Sequence, residues 1–104
     1  MNNKELVELL NGLKITQISH WVDCIPTEIY KEYFVGTEVV GVNLDIDKHR
    51  WYELSTDVVK LNAGFIGIRS ITNMYSEQSS YDDMSYTLEF FEMEEIPSFT
   101  YKRK

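Results

Sequence analysis

The apolar positions between Trp51 and Tyr75 form the longest uninterrupted pattern in the chain. Two runs rich in β-branched and aromatic residues are separated by Asn62, Ala63 and Gly64. Such side chains pack well on a half-buried pleated surface, and Asn and Gly tolerate the positive φ angles that tight turns require. The pattern therefore predicts one long β-hairpin, around which we expect the rest of the chain to pack.

Two stretches before residue 37 have the apolar spacing of short helices. The first, residues 4–11, follows Asn3 and is stopped by Gly12, and its apolar residues recur at helical spacing: Leu6, Leu9, Leu10 and Leu13. The second, residues 27–34, follows Pro26 and ends before Gly36. Between them, residues 14–23 fit neither period, and the β-branched residues at 15–18 favour a strand.

Alternation of apolar and polar residues predicts the remaining strands. From residue 37 onwards, one face of a strand would carry Val40, Val42, Leu44 and Ile46. Residues 86–93 alternate similarly, and residues 98–101 form an edge strand after Pro97, which donates no ladder hydrogen bond. The expected fold is α+β: two short N-terminal helices packed on an antiparallel meander of four or five strands. The pattern is also compatible with a sheet that closes into a barrel. With 104 residues, we expect a single domain over 1–104.

The predicted strands carry large apolar side chains on both faces. One row contains Tyr52, Ile66, Leu88 and Phe90, and the opposite row contains Trp51, Phe65, Tyr75 and Phe91. We expect the first row to be the core and the second to be exposed unless something covers it. The helices, closure of the sheet or a partner chain could provide that cover.

The charge of the chain narrows the classes of function. The formal net charge is −7, and one segment without Lys or Arg holds seven acidic residues: Glu77, Asp82, Asp83, Glu89, Glu92, Glu94 and Glu95. This charge disfavours direct binding to nucleic acid or anionic lipid. A lone cysteine, Cys24, a polar start and the lack of a long apolar run lead us to expect a cytoplasmic protein that does not contact membranes.

No candidate chemistry in the sequence has a convincing arrangement. Asp45, Asp47 and His49 share a strand face, but side chains two residues apart stand about 7 Å apart, so we expect no metal and no cofactor. Ser19, His20 and Cys24 lack the oriented base that nucleophilic catalysis needs. Arg69 lies on an apolar strand, so we expect its partner to be a carboxylate across the sheet or an anion from outside.

These features favour a small acidic, non-catalytic binding protein. It would be an inhibitor or adaptor that occupies the basic, nucleic-acid-binding site of another protein, since carboxylates can stand where phosphates sit. Small phage and plasmid inhibitors are the analogy at the level of class. The expected partner-binding residues are acidic or exposed aromatic: Tyr75, Tyr81, Asp82, Asp83, Phe91, Glu92 and Glu94.

Two alternatives belong to other classes of function. The first is a small-ligand-binding protein or enzyme with a pocket between sheet and helices, lined by Tyr30, Tyr33, Trp51 and Tyr52. The second is a homo-oligomeric structural component.

Overall fold

The computed structural model describes residues 1–75, 85–96 and 100–104. Its elements are α1 (Asn3–Gly12), α2 (Trp21–Cys24), α3 (Thr27–Ile29, continued by a π-helical turn over Tyr30–Phe34), β1 (Glu38–Lys48), β2 (Tyr52–Leu61), β3 (Gly64–Met74), β4 (Glu89–Ile96) and β5 (Thr100–Arg103). The strands form one antiparallel sheet in the order β1-β2-β3-β4-β5, curled into a half-barrel. The predicted α+β class and antiparallel meander are confirmed.

The central hairpin is present where the sequence predicted it. Leu61 pairs with Gly64, so the loop has two residues, and both have positive φ angles: 52° for Asn62 and 60° for Ala63. This turn also anchors α1, because the Asn3 side-chain amide donates to the Leu61 carbonyl oxygen at 2.8 Å. The hairpin therefore fixes the position of the first helix.

Helix α1 begins one residue earlier than predicted. Its N-cap is Asn2, which accepts from the Glu5 backbone N–H while Glu5 accepts from the Asn2 backbone N–H, as in a capping box. Leu6 and Leu10 are fully buried, whereas Leu9 and Leu13 are largely exposed. The buried stripe is therefore narrower than the four leucines suggested.

The strand favoured for residues 15–18 is wrong, because among residues 1–75, 85–96 and 100–104 that segment makes one isolated bridge, between Thr16 and Thr87. It instead covers the chain just before β4: the Gln17 N–H donates to the Tyr86 carbonyl, and the Leu88 N–H donates to the Ile15 carbonyl. Helix α2, which the sequence did not predict, follows.

Strand β1 exists, but its predicted apolar row is wrong. Three register shifts interrupt its pairing with β2, and Asn43 and Asp45 have positive φ angles of 54° and 50°. Such bulges rotate the following side chains. As a result, Leu44 packs inward while Val42 and Ile46 are 59% and 52% exposed.

The two faces of the sheet have different covers. The face that we call the helix face packs on the helices, and its buried residues include Val59, Leu61, Ile66, Ile68, Leu88 and Phe90. This confirms the predicted core row of β3 and β4. On the opposite face, which we call the cavity face, a smaller cluster of Val58, Phe91 and Met93 is covered by the curl of β1 and by Tyr101 of β5.

The expected exposure of the second aromatic row is correct in part. Trp51 and Tyr75 are 52% and 50% exposed. Phe91 is a correction, because only 8% of it is exposed and the Arg103 guanidinium lies 4.6 Å above its ring. Phe65 is half-buried against Tyr101. Strand β5 therefore covers a part of the sheet that the alternation pattern assigned to solvent.

Candidate functional site

The curl of the sheet leaves an open cavity of about 410 Å³ on the cavity face. We call it the sheet cavity. All five strands and the segments next to them contribute to its wall: Leu44, Asp45, Asp47, His49, Leu54, Thr56, Arg69, Tyr86, Glu89, Phe91, Met93 and Arg103. Its volume falls in the range of about 300–1,000 Å³ that is typical of ligand sites.

Arg69 lies in the wall of the sheet cavity on β3, and 15% of its side chain is exposed. Its Nη1 atom donates to the Asp45 backbone oxygen and to the Thr56 hydroxyl, both at 2.9 Å. The Asp45 carboxylate is 3.7 Å away, so the expected carboxylate partner across the sheet is confirmed. Among the described residues, no hydrogen bond comes from Nε or Nη2 of this guanidinium.

Tyr86 adds an unusual polar atom to the same wall. Its hydroxyl oxygen is buried and has no hydrogen-bond partner in the part of the chain that the structure describes. Burial raises the pKa of Tyr86 to about 12, the charge of Glu89 acts in the same direction, and the charge of Arg69 opposes both. The hydroxyl therefore stays protonated at neutral pH. A buried polar group without a partner costs roughly 1–3 kcal/mol, so native structures rarely retain one without a reason.

The floor of the sheet cavity is apolar. Leu54, Phe91 and Met93 are each less than a tenth exposed, and Leu44 packs beside them. Arg103 closes one side by stacking on Phe91. An apolar floor with a few convergent polar groups is the usual make-up of a small-molecule site.

One carboxylate at the rim of the sheet cavity is engaged by a histidine. His49 Nε2 lies 3.1 Å from the Asp47 carboxylate, and the His49 ring stacks on Tyr52 at 4.7 Å. Glu89 is exposed and has no ion-pair partner among the described residues. Asp45, Asp47 and His49 do share this cavity, but nowhere in residues 1–75, 85–96 and 100–104 do three potential ligands come close enough to hold a metal ion.

The structure separates the residues predicted to bind a partner. Tyr75 is exposed at the end of β3, and its hydroxyl donates to Glu53. Phe91 faces the sheet cavity, whereas its neighbours at 92 and 94 alternate onto the helix face of the same strand. The other predicted residues, Tyr81, Asp82 and Asp83, lie outside the described residues.

The C-terminal basic residues pair with part of the acidic segment. Strand β5 runs antiparallel to β4, Lys102 lies opposite Glu94, and their side chains form an ion pair at 3.1 Å. The acidic segment and the basic tail, which the sequence presents as separate features, are therefore neighbours in the sheet.

The aromatic residues predicted to line a pocket between sheet and helices are spread apart. Tyr30 and Tyr33 pack at the margin of the helix-face core, and Tyr30 stacks on Phe34. Trp51 lies in the turn between β1 and β2, under the Arg50 guanidinium. The sheet cavity lies on the opposite face of the sheet from Tyr30 and Tyr33, so it is not the pocket expected between sheet and helices.

The side chains of His20 and Cys24 make contacts that stabilise the local backbone. His20 is the N-cap of α2, where its Nδ1 atom accepts from the Val22 N–H at 3.4 Å, and its Nε2 atom faces the buried Asp57 carboxylate at 3.9 Å. The Cys24 thiol lies near the Ser19 and His20 carbonyl oxygens. Among the described residues, no imidazole is hydrogen-bonded to the thiol or to the Ser19 hydroxyl.

No protein-family model matches the chain, and no curated protein or solved structure is significantly similar to it. Within the described part of the chain, no helix is both long enough and apolar enough to cross a membrane. The geometry of the sheet cavity is therefore the main guide to function. Tyr86 and Leu54 were not singled out from the sequence, because only the curl of the sheet brings their strands together.

Proposed function

We propose that the protein is a non-catalytic binding protein whose ligand site is the sheet cavity. The observation that carries this proposal is an open cavity of about 410 Å³ with an apolar floor, whose wall holds Arg69 and Tyr86. The Tyr86 hydroxyl has no hydrogen-bond partner among the described residues and is buried in the free protein, so the side chain has to turn towards the cavity to meet a ligand; a hydrogen bond formed there would remove a cost of roughly 1–3 kcal/mol. Stabilisation of this kind favours the bound state without any chemical step.

The proposal can be tested before the natural ligand is known. Methyl NMR spectra would be recorded while a library of small fragments is added, with Leu54 and Met93 reporting on the sheet cavity. Leu6 and Leu10, which are fully buried on the helix face, are the matched controls. We expect some fragments to shift the cavity methyl signals and leave the controls in place. A screen in which the cavity signals never move, or move only together with the controls, would refute the proposal.

An acidic inhibitor or adaptor is the second candidate function, and the exposed aromatic pair favours it. Trp51 and Tyr75 are both about half exposed, and the Tyr75 N–H donates to the Trp51 carbonyl at 3.0 Å, so the two residues are adjacent at one end of the central hairpin. Adjacent exposed rings are common at the centre of protein interfaces. Glu53 lies next to them and accepts from the Tyr75 hydroxyl, and the Arg50 guanidinium lies over Trp51, so a basic partner would meet its negative charge on the Tyr75 side of the pair.

This second function predicts electrostatically steered association with a basic protein. A partner captured from a host lysate should bind more slowly as salt rises from low to physiological concentration. The charge-reversal variant should lose that binding while keeping its circular dichroism spectrum; it combines Asp82→Lys, Asp83→Lys, Glu92→Lys and Glu94→Lys. The aromatic variant Trp51→Ala separates the two ideas, because it removes the ring and keeps the acidic residues. Unchanged binding by both variants would exclude this second function.

A further inference from the structure

Two residues in the wall of the sheet cavity, Arg69 and Tyr86, offer hydrogen-bond donors, and the exposed carboxylate of Glu89 offers an acceptor. The two hydrogen bonds of Arg69 Nη1 fix the guanidinium against Thr56 and the Asp45 backbone. Its Nε and Nη2 atoms make no hydrogen bond to any of the described residues. Since Arg69 lines the sheet cavity and 15% of its side chain is exposed, we expect the N–H groups of these two nitrogens to be available to a ligand there.

The hydroxyl of Tyr86 reinforces this donor set. Tyr86, Arg69 and Glu89 all line the sheet cavity, and the charges of Arg69 and Glu89 act on the pKa of Tyr86 in opposite directions. The hydroxyl is protonated at neutral pH but buried in the free protein, so the side chain has to turn towards the cavity before it can donate to an acceptor beside the guanidinium. The N–H groups of the guanidinium together with this O–H would match the oxygens of a carboxylate, which Arg recognises in a bidentate manner.

The charges of the wall limit how much negative charge a ligand can carry. Arg69 and Arg103 are opposed by Asp45 and Glu89, while Asp47 is engaged by His49. The Asp45 side chain is 90% exposed and lies 3.7 Å from Arg69, so this ion pair is loose and exchangeable. One incoming carboxylate can replace it, but a second negative charge would meet Glu89. A cationic head group placed beside Arg69 would instead be repelled by its guanidinium.

We propose that the sheet cavity binds a small amphipathic monocarboxylate, whose carboxylate accepts from Arg69 and Tyr86 and whose apolar body lies on Leu54, Phe91 and Met93. This inference rests on the proposed binding function and specifies the chemical class of its ligand. The apolar floor supplies affinity through burial of the ligand body, and the donor pair selects the charge of the head group.

The test uses three probes that share one apolar body: 3-phenylpropanoate, its amide and 3-phenylpropylamine. Each is titrated into the full chain while the methyl signals of Leu54 and Met93 are followed. We expect the acid to bind at least about tenfold more tightly than the amine, because a hydrogen bond to a charged group contributes about that factor. Tyr86→Phe should weaken binding of the acid by about tenfold for the same reason.

A pair of charge-matched variants checks the role of Arg69. Arg69→Gln and Arg50→Gln remove the same charge, but Arg50 lies over Trp51 and does not line the sheet cavity. We expect only Arg69→Gln to weaken binding of the acid, and Tyr86→Phe provides the same information if Arg69→Gln does not fold.

The outcomes show whether the ligand class alone is wrong or the proposed binding function as well. If the amine or the amide binds as tightly as the acid, the proposed ligand class is wrong while the binding function stands. Equal affinity of the acid for the parent, Tyr86→Phe and Arg69→Gln proteins would also overturn the ligand class. If none of the three probes moves the cavity signals up to its solubility limit, and the fragment screen is also negative, both proposals fail.

Discussion

Replacing Gln17 with methionine should destabilise the protein more than any single surface change. Gln17 is fully buried, and its amide bonds to both backbone groups of Ile71: Oε1 accepts from the N–H at 2.8 Å, and Nε2 donates to the carbonyl at 3.0 Å. Nε2 also donates to the Ser19 carbonyl at 3.0 Å. The Gln17 side chain therefore makes the backbone hydrogen bonds that a neighbouring strand would make, at a position of β3 beyond its pairing with β4.

The magnitude follows from the groups that lose their partners. Each buried backbone group left without a hydrogen bond costs about 1–3 kcal/mol, and methionine keeps most of the buried volume, so we expect Gln17→Met to lower the free energy of unfolding by about 2–4 kcal/mol. The protein should remain folded, because a domain of this size has about 5–15 kcal/mol of stability. Urea titration followed by Trp21 fluorescence would measure the change, since Trp21 is buried on the same face.

A second substitution makes the test more specific. In Gln17→Glu, one carboxylate oxygen would face the Ile71 and Ser19 carbonyl oxygens in place of Nε2. Burial and these oxygens should raise the pKa of the new carboxyl above its ordinary value, so the folded state binds the proton more tightly. Stability should then be highest at acidic pH and be lost as the pH rises through the raised pKa.

The control for both variants is Asn73→Ala, which removes an exposed amide from β3. Its effect should stay within about 0.5 kcal/mol. A loss of that size for Gln17→Met as well, or a pH-independent loss for Gln17→Glu, would refute the reasoning, because it would mean that the Ile71 backbone does not depend on this amide.

Three further predictions concern glycine, alanine and tyrosine positions, and each can be measured by urea titration. Gly67→Ala should cost about 1–3 kcal/mol by overpacking, since an added Cβ would lie 2.5 Å from the Phe91 ring; the control Gly12→Ala, with no atom within 4 Å, should gain up to about 1 kcal/mol. Ala63→Gly should gain about 0.5–1 kcal/mol, because the cost of a left-handed alanine exceeds the entropy cost of glycine. Burial raises the folded-state pKa of Tyr86 to about 12. Its pH-dependent contribution to stability is therefore full below its unfolded-state pKa of about 10 and is lost as the pH rises to the folded value. Tyr86→Phe should remove that part of the pH dependence, and an unchanged slope of the free energy of unfolding against pH would contradict the burial of the hydroxyl.

Most of the strand order can be predicted from the sequence, because the local apolar pattern and the turn residues indicate the same strands. The two-residue turn at Asn62 and Ala63 fixes the register of β2 and β3, and that register places Ile66 and Ile68 in the core. Helix α1 is equally local, since its capping residues and its buried leucines are close together in the chain. These features need no knowledge of distant contacts.

The candidate site could not be predicted in the same way, because it depends on contacts between distant residues. Bulges in β1 turn Asp45 towards Arg69, and no period in the sequence marks a bulge. The position of β5 decides whether Phe91 is buried, and pairing of strands on either side of Pro97 cannot be read from alternation. Two features of the cavity wall could be read from the sequence: the grouping of Asp45, Asp47 and His49, and a carboxylate partner for Arg69.

The pairing of β4 with β5 places basic residues beside part of the acidic segment. A surface ion pair such as Glu94 with Lys102 contributes at most about 1 kcal/mol to stability, so its main effect is on the electric field that a partner meets. Arg103 lies in the same strand and adds its charge to the sheet cavity. Acidic residues therefore dominate the total charge, yet the wall of the sheet cavity holds the donors of Arg69, Arg103 and Tyr86 as well as the carboxylate of Glu89. A ligand that enters the cavity experiences those donors within hydrogen-bond distance, whereas the net charge acts through screened solvent over about 8–10 Å. The local donor set should accordingly decide which head group binds, and the acid and amine probes with one shared body compare these two influences directly.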